Sequence, residues 1–321
     1  MYTTSYLRLK PLPFSSLPSH PSLNQNAEQQ ELNTFLTTIL SEAQTLISTT
    51  IPQDFKQDRK LRSSAPSSAK VQLSTSSGTA GGVEDYWVCR KSIHTDSSAQ
   101  KGSASWAEFE KGLRENHSEN EMDYTPSVAS VETLVKWPVI ESLEGWRGVD
   151  VHGSFEISIS IYGHCILTMR TVNMITHTFK PAGLISPRTF ISLVISVYEP
   201  ESSSDNSDNP IQGFYTIQIP LLFQKDSPKN DVPDAIKQQI LSAAPKNTIF
   251  AHYASVERVR LLPPAAADAE RRIEWIMATT SDAGGLIPQW VQRSWTMGGV
   301  PKAVVADVGL FLGWADKKRS S

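Results

Sequence analysis

The chain has 321 residues, 39% of them hydrophobic, with eight tryptophans and a formal net charge of −3. That is enough apolar material for a sizeable core, and the near-neutral balance argues against a nucleic-acid partner. No run approaches the roughly 20 apolar residues that a bilayer-crossing helix needs, so a soluble, cytoplasmic protein is expected.

The opening stretch MYTTSYLRLKPLPFSSLPSHP has no apolar run of the secretory kind and is dotted with prolines. Leu9, Leu12 and Phe14 alternate with those prolines, so residues 1–26 are expected to form an extended arm lying on the rest. The first helix is expected over residues 27–48. Leu32, Phe35, Leu36, Ile39, Leu40, Ala43, Leu46 and Ile47 recur at three- and four-residue steps, with Asn26 as N-cap and Gln29 as its capping-box partner. Residues 49–82 are rich in Ser, Thr, Lys and Arg and end in Gly-Gly. They read as a flexible loop with a short strand near Val71–Leu73. Its basic residues Lys56, Arg59, Lys60, Arg62 and Lys70 suit either solvent or an anionic membrane surface.

Tyr86–His94 reads as a strand, and Ser105 with Glu108 three residues on starts a short helix. Strands follow at Ser154–Tyr162, Cys165–Asn173 and Phe190–Tyr198, the last apolar on both faces and therefore central. A Ser/Asp/Asn run between Pro200 and Pro210 reads as a solvated hairpin loop. The alternation Tyr215, Ile217, Ile219, Leu221 marks another strand, and Pro233–Ala243 a short helix. Ile249–Leu262 and Arg272–Thr280 are the last two strands. In the latter, Ile273, Trp275 and Met277 share a face, with Arg272 and Glu274 on the other.

After Thr280 the sequence Ser281-Asp282-Ala283-Gly284-Gly285 is turn chemistry, and Pro288 and Pro301 suit the first turns of two helices. The second helix, ending near Trp314, carries only Lys302 and Asp307 as charges from Val300 to Ala315. A helix so apolar must be covered on most sides. The element order is that of an α+β fold.

The search for catalytic chemistry is negative. There is no G-x-S-x-G elbow, phosphate loop, dinucleotide glycine set or H-E-x-x-H. His20, His94, His117, His152, His164, His177 and His252 are scattered without metal-ligand spacing, so no metal and no cofactor is expected. Cys89 and Cys165 read as buried free thiols of a reducing compartment.

The motifs Tyr253-Ala-Ser-Val-Glu-Arg258, Ile273-Glu-Trp275, Met277-Ala-Thr-Thr-Ser-Asp-Ala-Gly-Gly285 and Pro288-Gln-Trp-Val-Gln292, with Tyr86–His94 and Arg188-Thr-Phe190 upstream, resemble the fungal START-like family called domain of unknown function 3074. The resemblance covers roughly residues 83–315. It implies a START-like helix grip over residues 27–321: a curved antiparallel sheet around a long C-terminal helix, with a cavity between. Expected cavity walls are Ile159, Leu193, Ile217, Trp275, Met277, Trp290, Trp295, Val304, Val308 and Phe311, though the same residues would equally make a filled core. Arg170, Arg188, Glu257 and Arg258 are the polar candidates inside.

Trp290 and Trp295, followed by Gly298-Gly299, suggest a corner that hinges open at a membrane to admit a lipid, or simply an anchor of the helix on the sheet. The function that follows is binding and transfer of a lipid or other hydrophobic molecule without catalysis. The alternatives are a cyclase- or hydrolase-like enzyme on the same fold, or an interaction module with no cavity.

Overall fold

The structure is a computed structural model and describes residues 6–23, 31–80, 83–137, 140–143, 146–150, 170–178, 186–200, 212–225, 231–263 and 270–320. The expected strand Ser154–Tyr162, the cap Asn26/Gln29, the hairpin loop between Pro200 and Pro210, Ile159 and Cys165 lie outside the described residues.

Helix α1 (Leu32–Thr45) runs through a π turn into α2 (Ile51–Asp54). Strands β1 (Lys56–Gln57), β2 (Arg62–Ser63), β3 (Lys70–Ala80) and β4 (Val83–Thr95) follow, then α3 (Trp106–Phe109) and α4 (His117–Tyr124), joined by a second π turn. Next come β5 (Val128–Trp137), β6 (Ile140–Leu143), β7 (Trp146–Asp150), β8 (Arg170–His177), β9 (Arg188–Tyr198) and β10 (Gly213–Pro220). Helix α5 (Asp234–Ala243), strands β11 (Ile249–Leu262) and β12 (Arg272–Asp282), and helices α6 (Gln289–Gln292) and α7 (Val300–Ser320) complete the chain. Among the described residues no helix is long and apolar enough to cross a membrane.

The twelve strands among the described residues form one large curved sheet, so the fold is mixed α+β. Its main path is β1-β3-β4-β12-β11-β10-β9-β7-β6, with β2 on β3, and β8 pairing both β9 and β5. All pairings are antiparallel except a short parallel stretch of β11 with β9. The apolar run of β9 does sit inside the sheet, between β8 and β10, as its two buried faces require.

Both faces of the sheet are covered. On one, α1 lays Phe35, Leu36, Ile39, Leu40 and Ala43 against Leu193, Ile195, Ile217, Val256 and Ala278, joined by Ile236 and Ile240 of α5. Residues 6–23 run over this side, with Leu7, Leu12, Phe14, Leu17 and Leu23 buried in the same cluster and Leu12 bridging to Leu221. On the other face, α7 packs Val304, Val305, Val308, Phe311 and Leu312 on Val88, Phe214, Val259, Ile273 and Trp275.

Three expectations are corrected. Residues 49–82 are not one loop: α2, two short strands and the eleven-residue β3 occupy much of it, because Val71 and Leu73 reach the α7 core and pair β3 with β4. Among the described residues α1 begins at Leu32, with Glu31 at the cap position making no side-chain cap. Helix α7 ends at Ser320, not near Trp314. Its last turn carries Lys317, Lys318 and Arg319, which suit a helix C-terminus, and Arg319 reaches Glu108 and the Ser103 carbonyl. Ser105 and Glu108 do form the capping box of α3. Cys89 is a buried free thiol that burial pushes up to about 12, so it is unreactive.

Candidate functional site

Strand alternation sends every second side chain of β4, β10, β11 and β12 toward α7. Toward the middle of that face most of these are polar residues. They are Arg90 on β4, Thr216 and Gln218 on β10, Ser255 and Glu257 on β11, and Met277 beside Trp275 on β12. Helix α4 adds His117, Glu121 and Tyr124 from above, and α7 adds Asp307. Together they enclose a cavity of about 30 Å³, room for about one or two waters.

Arg90 is the centre of this set. It is 1% exposed. Its Nη2 donates to Glu257 Oε1 at 3.1 Å, and its guanidinium lies 3.9 Å from the Trp275 ring centroid. The same Glu257 oxygen accepts the Trp275 indole N–H at 2.6 Å. Arg90 Nε and Nη1 are buried without a hydrogen-bond partner among the described residues. A buried guanidinium with two idle donors is costly, so an acceptor brought to them would be held strongly.

His117 sits above. Its Nδ1 donates to the Leu113 carbonyl at 2.9 Å, which leaves Nε2 to accept from the Gln218 amide at 3.1 Å, with Glu121 Oε2 4.0 Å away. Burial, reinforced by Glu121 and Glu257 against the pull of Arg90, pushes the Asp307 carboxyl up to about 7. Burial likewise raises Glu121 and lifts Tyr124 well above the usual phenol range. One guanidinium therefore faces three carboxyl groups, of which Asp307 is half protonated near neutrality.

On the outer side of α7 a second space opens. Residues 63–66, Tyr124, Pro126, Trp295, Val305, Leu310 and Trp314 line a groove of about 600 Å³, together with the charged Asp123, Lys302 and Lys317. Tyr124 is a wall of both the groove and the inner cavity.

Of the expected wall residues, Trp275, Val304, Val308 and Phe311 meet under α7, and Met277 and Glu257 line the inner cavity. Trp295 lines the outer groove. Leu193 and Ile217 do not join them. Each sits on the other phase of its strand, so both face α1. Trp290 is 64% exposed and lines neither the cavity nor the groove.

Arg258 also lies on the α1 side of the sheet, since it neighbours Glu257 and must point the opposite way. There it pairs with Glu274 at 2.8 Å. Arg188 anchors the turn after β12 by donating to the Ala283 carbonyl at 3.1 Å. Arg170 opens β8 opposite Ile195, and Ile159 lies outside the described residues.

The turn itself follows the sequence: Gly284 and Gly285 take positive φ, and a Cβ at Gly285 would lie 2.7 Å from the Ile249 side chain. Gln292 closes it, accepting from the Ala283 N–H at 2.8 Å and donating to Asp282 at 3.2 Å. Gly299 is tightly packed, since a Cβ there would lie 2.2 Å from the Gln292 carbonyl oxygen.

The cavity residues missed from sequence include Arg90, His117, Glu121, Tyr124, Thr216, Gln218, Ser255 and Asp307. Two signals for them were present. Asp307 is the lone acid in the apolar part of α7, and Arg90 stands in the same strand phase as Val88, which packs under α7.

No curated protein matches the chain. A family model described as "Protein of unknown function (DUF3074)" matches residues 87–315 and takes in α4, β11, β12 and most of β4 and α7. With more than two thirds of its length matched, the chain belongs to the DUF3074 family.

Proposed function

We propose that the chain is a START-like helix grip that binds, encloses and transfers a hydrophobic molecule with a neutral hydroxyl-type head, without covalent chemistry. The observation that carries this reading is the position of Tyr124. It is the shared wall between a mostly apolar groove of about 600 Å³ and a small polar cavity in which two Arg90 donors have no hydrogen-bond partner among the described residues. The apolar body has the groove, within the size range of small-molecule sites, and the head reaches inward once Tyr124 swings aside. A hydroxyl fits the inner chemistry because it accepts from Arg90 and donates to Glu257 or Asp307. A full anion would meet Glu121, Glu257 and Asp307 at close quarters.

Lipid extraction followed by native mass spectrometry, on protein purified from a eukaryotic host, tests it. The expected result is a stoichiometric hydroxylated amphiphile, lost in Arg90→Met. A fluorescent sterol should bind more tightly than a fluorescent fatty acid. Failure of wild type and of Tyr124→Ala to bind any member of such a panel would sink the reading.

A second reading, an acid–base enzyme, is favoured by Asp307. A carboxyl at about 7 within a cavity that also holds His117 and Glu121 can give and take a proton near neutral pH. The closed cavity, about 30 Å³, leaves no room for a substrate unless α4 or α7 moves. Recovery of a chemically altered ligand, with Asp307→Asn returning it unaltered, would put this reading first.

A further inference from the structure

Large hydrophobic side chains are exposed at seven of the described positions, and four of the seven fall on two neighbouring segments. Three lie on the corner between β12 and α7: Leu286 at 99%, Trp290 at 64% and Met297 at 58%. The fourth, Leu61 at 54%, tips the loop between β1 and β2. The sequence separates these segments by more than 200 residues. The fold brings them together through Arg62, whose guanidinium lies 4.2 Å from the Trp295 ring centroid.

The corner is held in shape from within. Gln292 ties α6 to the turn, and the Gly299 N–H donates to the Ser294 carbonyl at 2.8 Å. Its apolar tips are thus presented by an internally bonded scaffold and do not fold back over the core.

Charge around the tips is one-sided. Lys56 is exposed on β1, Arg59 and Lys60 on the β1–β2 loop, and Lys302 at the start of α7. Arg293 stacks on Tyr86 beside the corner. Against them stand Asp54, Asp58 and the corner's own Asp282: Asp58 is taken up by Arg62 at 2.6 Å, and Asp282 accepts from the Gly284 N–H and the Gln292 amide. In a chain of net charge −3 this is a local excess of positive charge.

We propose that this two-segment face docks the protein on an anionic lipid surface. Leu286, Trp290, Met297 and Leu61 enter the headgroup layer, and the basic residues contact the anionic headgroups. Separate protruding tips within a basic rim fit a deformable bilayer better than the flat, closely packed surface of a protein partner. Tryptophan is at home at that boundary, and juxtamembrane basic residues add attraction that salt screens. Docking requires no ligand in the grip and stands or falls separately from it.

Co-sedimentation of the full chain tests it, using vesicles of phosphatidylcholine alone and of phosphatidylcholine mixed with phosphatidylserine. Wild type is expected to bind only the mixed vesicles and to release as salt rises. Leu286→Ser with Trp290→Ser, and separately Arg59→Glu with Lys60→Glu, should each weaken binding by about tenfold or more. Leu241→Ser, an exposed leucine on α5, should leave it unchanged. All these side chains are exposed, so the thermal transition should stay that of wild type. Trp290→Phe should keep docking but lose most of the vesicle-induced blue shift of tryptophan fluorescence. The proposal is overturned by equal binding to neutral and anionic vesicles, by no binding to either, by either double variant binding like wild type, or by an undiminished blue shift in Trp290→Phe.

Discussion

The two faces of one sheet are built from different chemistry. Against α1 the strands present Leu193, Ile195, Ile217, Val256 and Ala278, and the helix answers with leucines and isoleucines. Against α4 and α7 the same strands present Arg90, Thr216, Gln218, Ser255 and Glu257 in the middle of an otherwise apolar face. Both sets are buried, so water cannot be the reason for the second. Buried polar groups cost free energy unless paired, and a fold assembled for stability alone would fill that space with hydrocarbon. The contrast sets the two layers apart: the α1 face is a filled apolar core, and the polar middle of the α7 face is what the proposed ligand reading rests on.

The sharpest way to break that contrast is at Arg90. Arg90→Met removes the only cation among the cavity-lining residues and leaves Glu257 buried with only the Trp275 indole on the same oxygen. Such a one-sided cut is expected to cost about 3–5 kcal/mol in urea unfolding. The double change Arg90→Met with Glu257→Leu should recover most of that stability while ligand binding stays lost. A double variant as unstable as the single one would make the pair a structural element and remove the distinction between the faces.

Leu40→Ala is the matching cut on the other side. Leu40 is fully buried in the α1 layer, and its truncation should cost about 2–5 kcal/mol through lost burial and the cavity left behind. Ligand affinity, measured well below the melting temperature, should not change. A loss of affinity comparable to that of Arg90→Met would show that the two layers act as one.

Gln292→Ala should cost less, about 1–3 kcal/mol, because it strips the Ala283 N–H and the Asp282 carboxylate of a buried partner at one corner only. Hydrogen exchange should speed up locally at residues 283–299 and stay unchanged in α1. Uniform faster exchange would mean that the corner is no separate unit.

The sequence made one face legible and hid the other for a physical reason. The period of α1, the limits of β11, and the Ser105 capping box depend on local spacing, and each is readable without tertiary context. The alternation in β10 is just as clear, but it says only that Ile217 and Thr216 point apart. Choosing Ile217 for the ligand side assumes that apolar residues face the cavity. In this fold they face α1, and Thr216 is as deeply buried as Ile217. Placing Arg258 inside together with Glu257 overlooked that adjacent strand residues cannot share a face. The cavity set itself joins α4, α7 and four strands from distant parts of the chain. No spacing rule brings Glu121 to Asp307.

The smallest expected effect reads the polar face by its titration. Asp307 is only half-buried, and Arg90 offsets part of its cost, so Asp307→Asn should change stability modestly. Its pH dependence is the informative part. In the unfolded chain the carboxyl has its ordinary value of 3.8, and in the folded chain about 7. Between those values the folded state binds the extra proton, so this group makes stability fall as pH rises. His94 and His177 act in the opposite sense. Burial holds both down to about 4 against an ordinary 6.5, so the unfolded state binds the extra protons and stability rises with pH across that window. In wild type the two slopes oppose each other. Asp307→Asn removes the falling one, so urea unfolding from pH 4.5 to pH 8 should show a steeper rise in the variant, with its gain over wild type largest above pH 7. A parallel pair of profiles would mean that Asp307 titrates as an ordinary surface carboxylate, and the acid–base reading of the cavity would go with it.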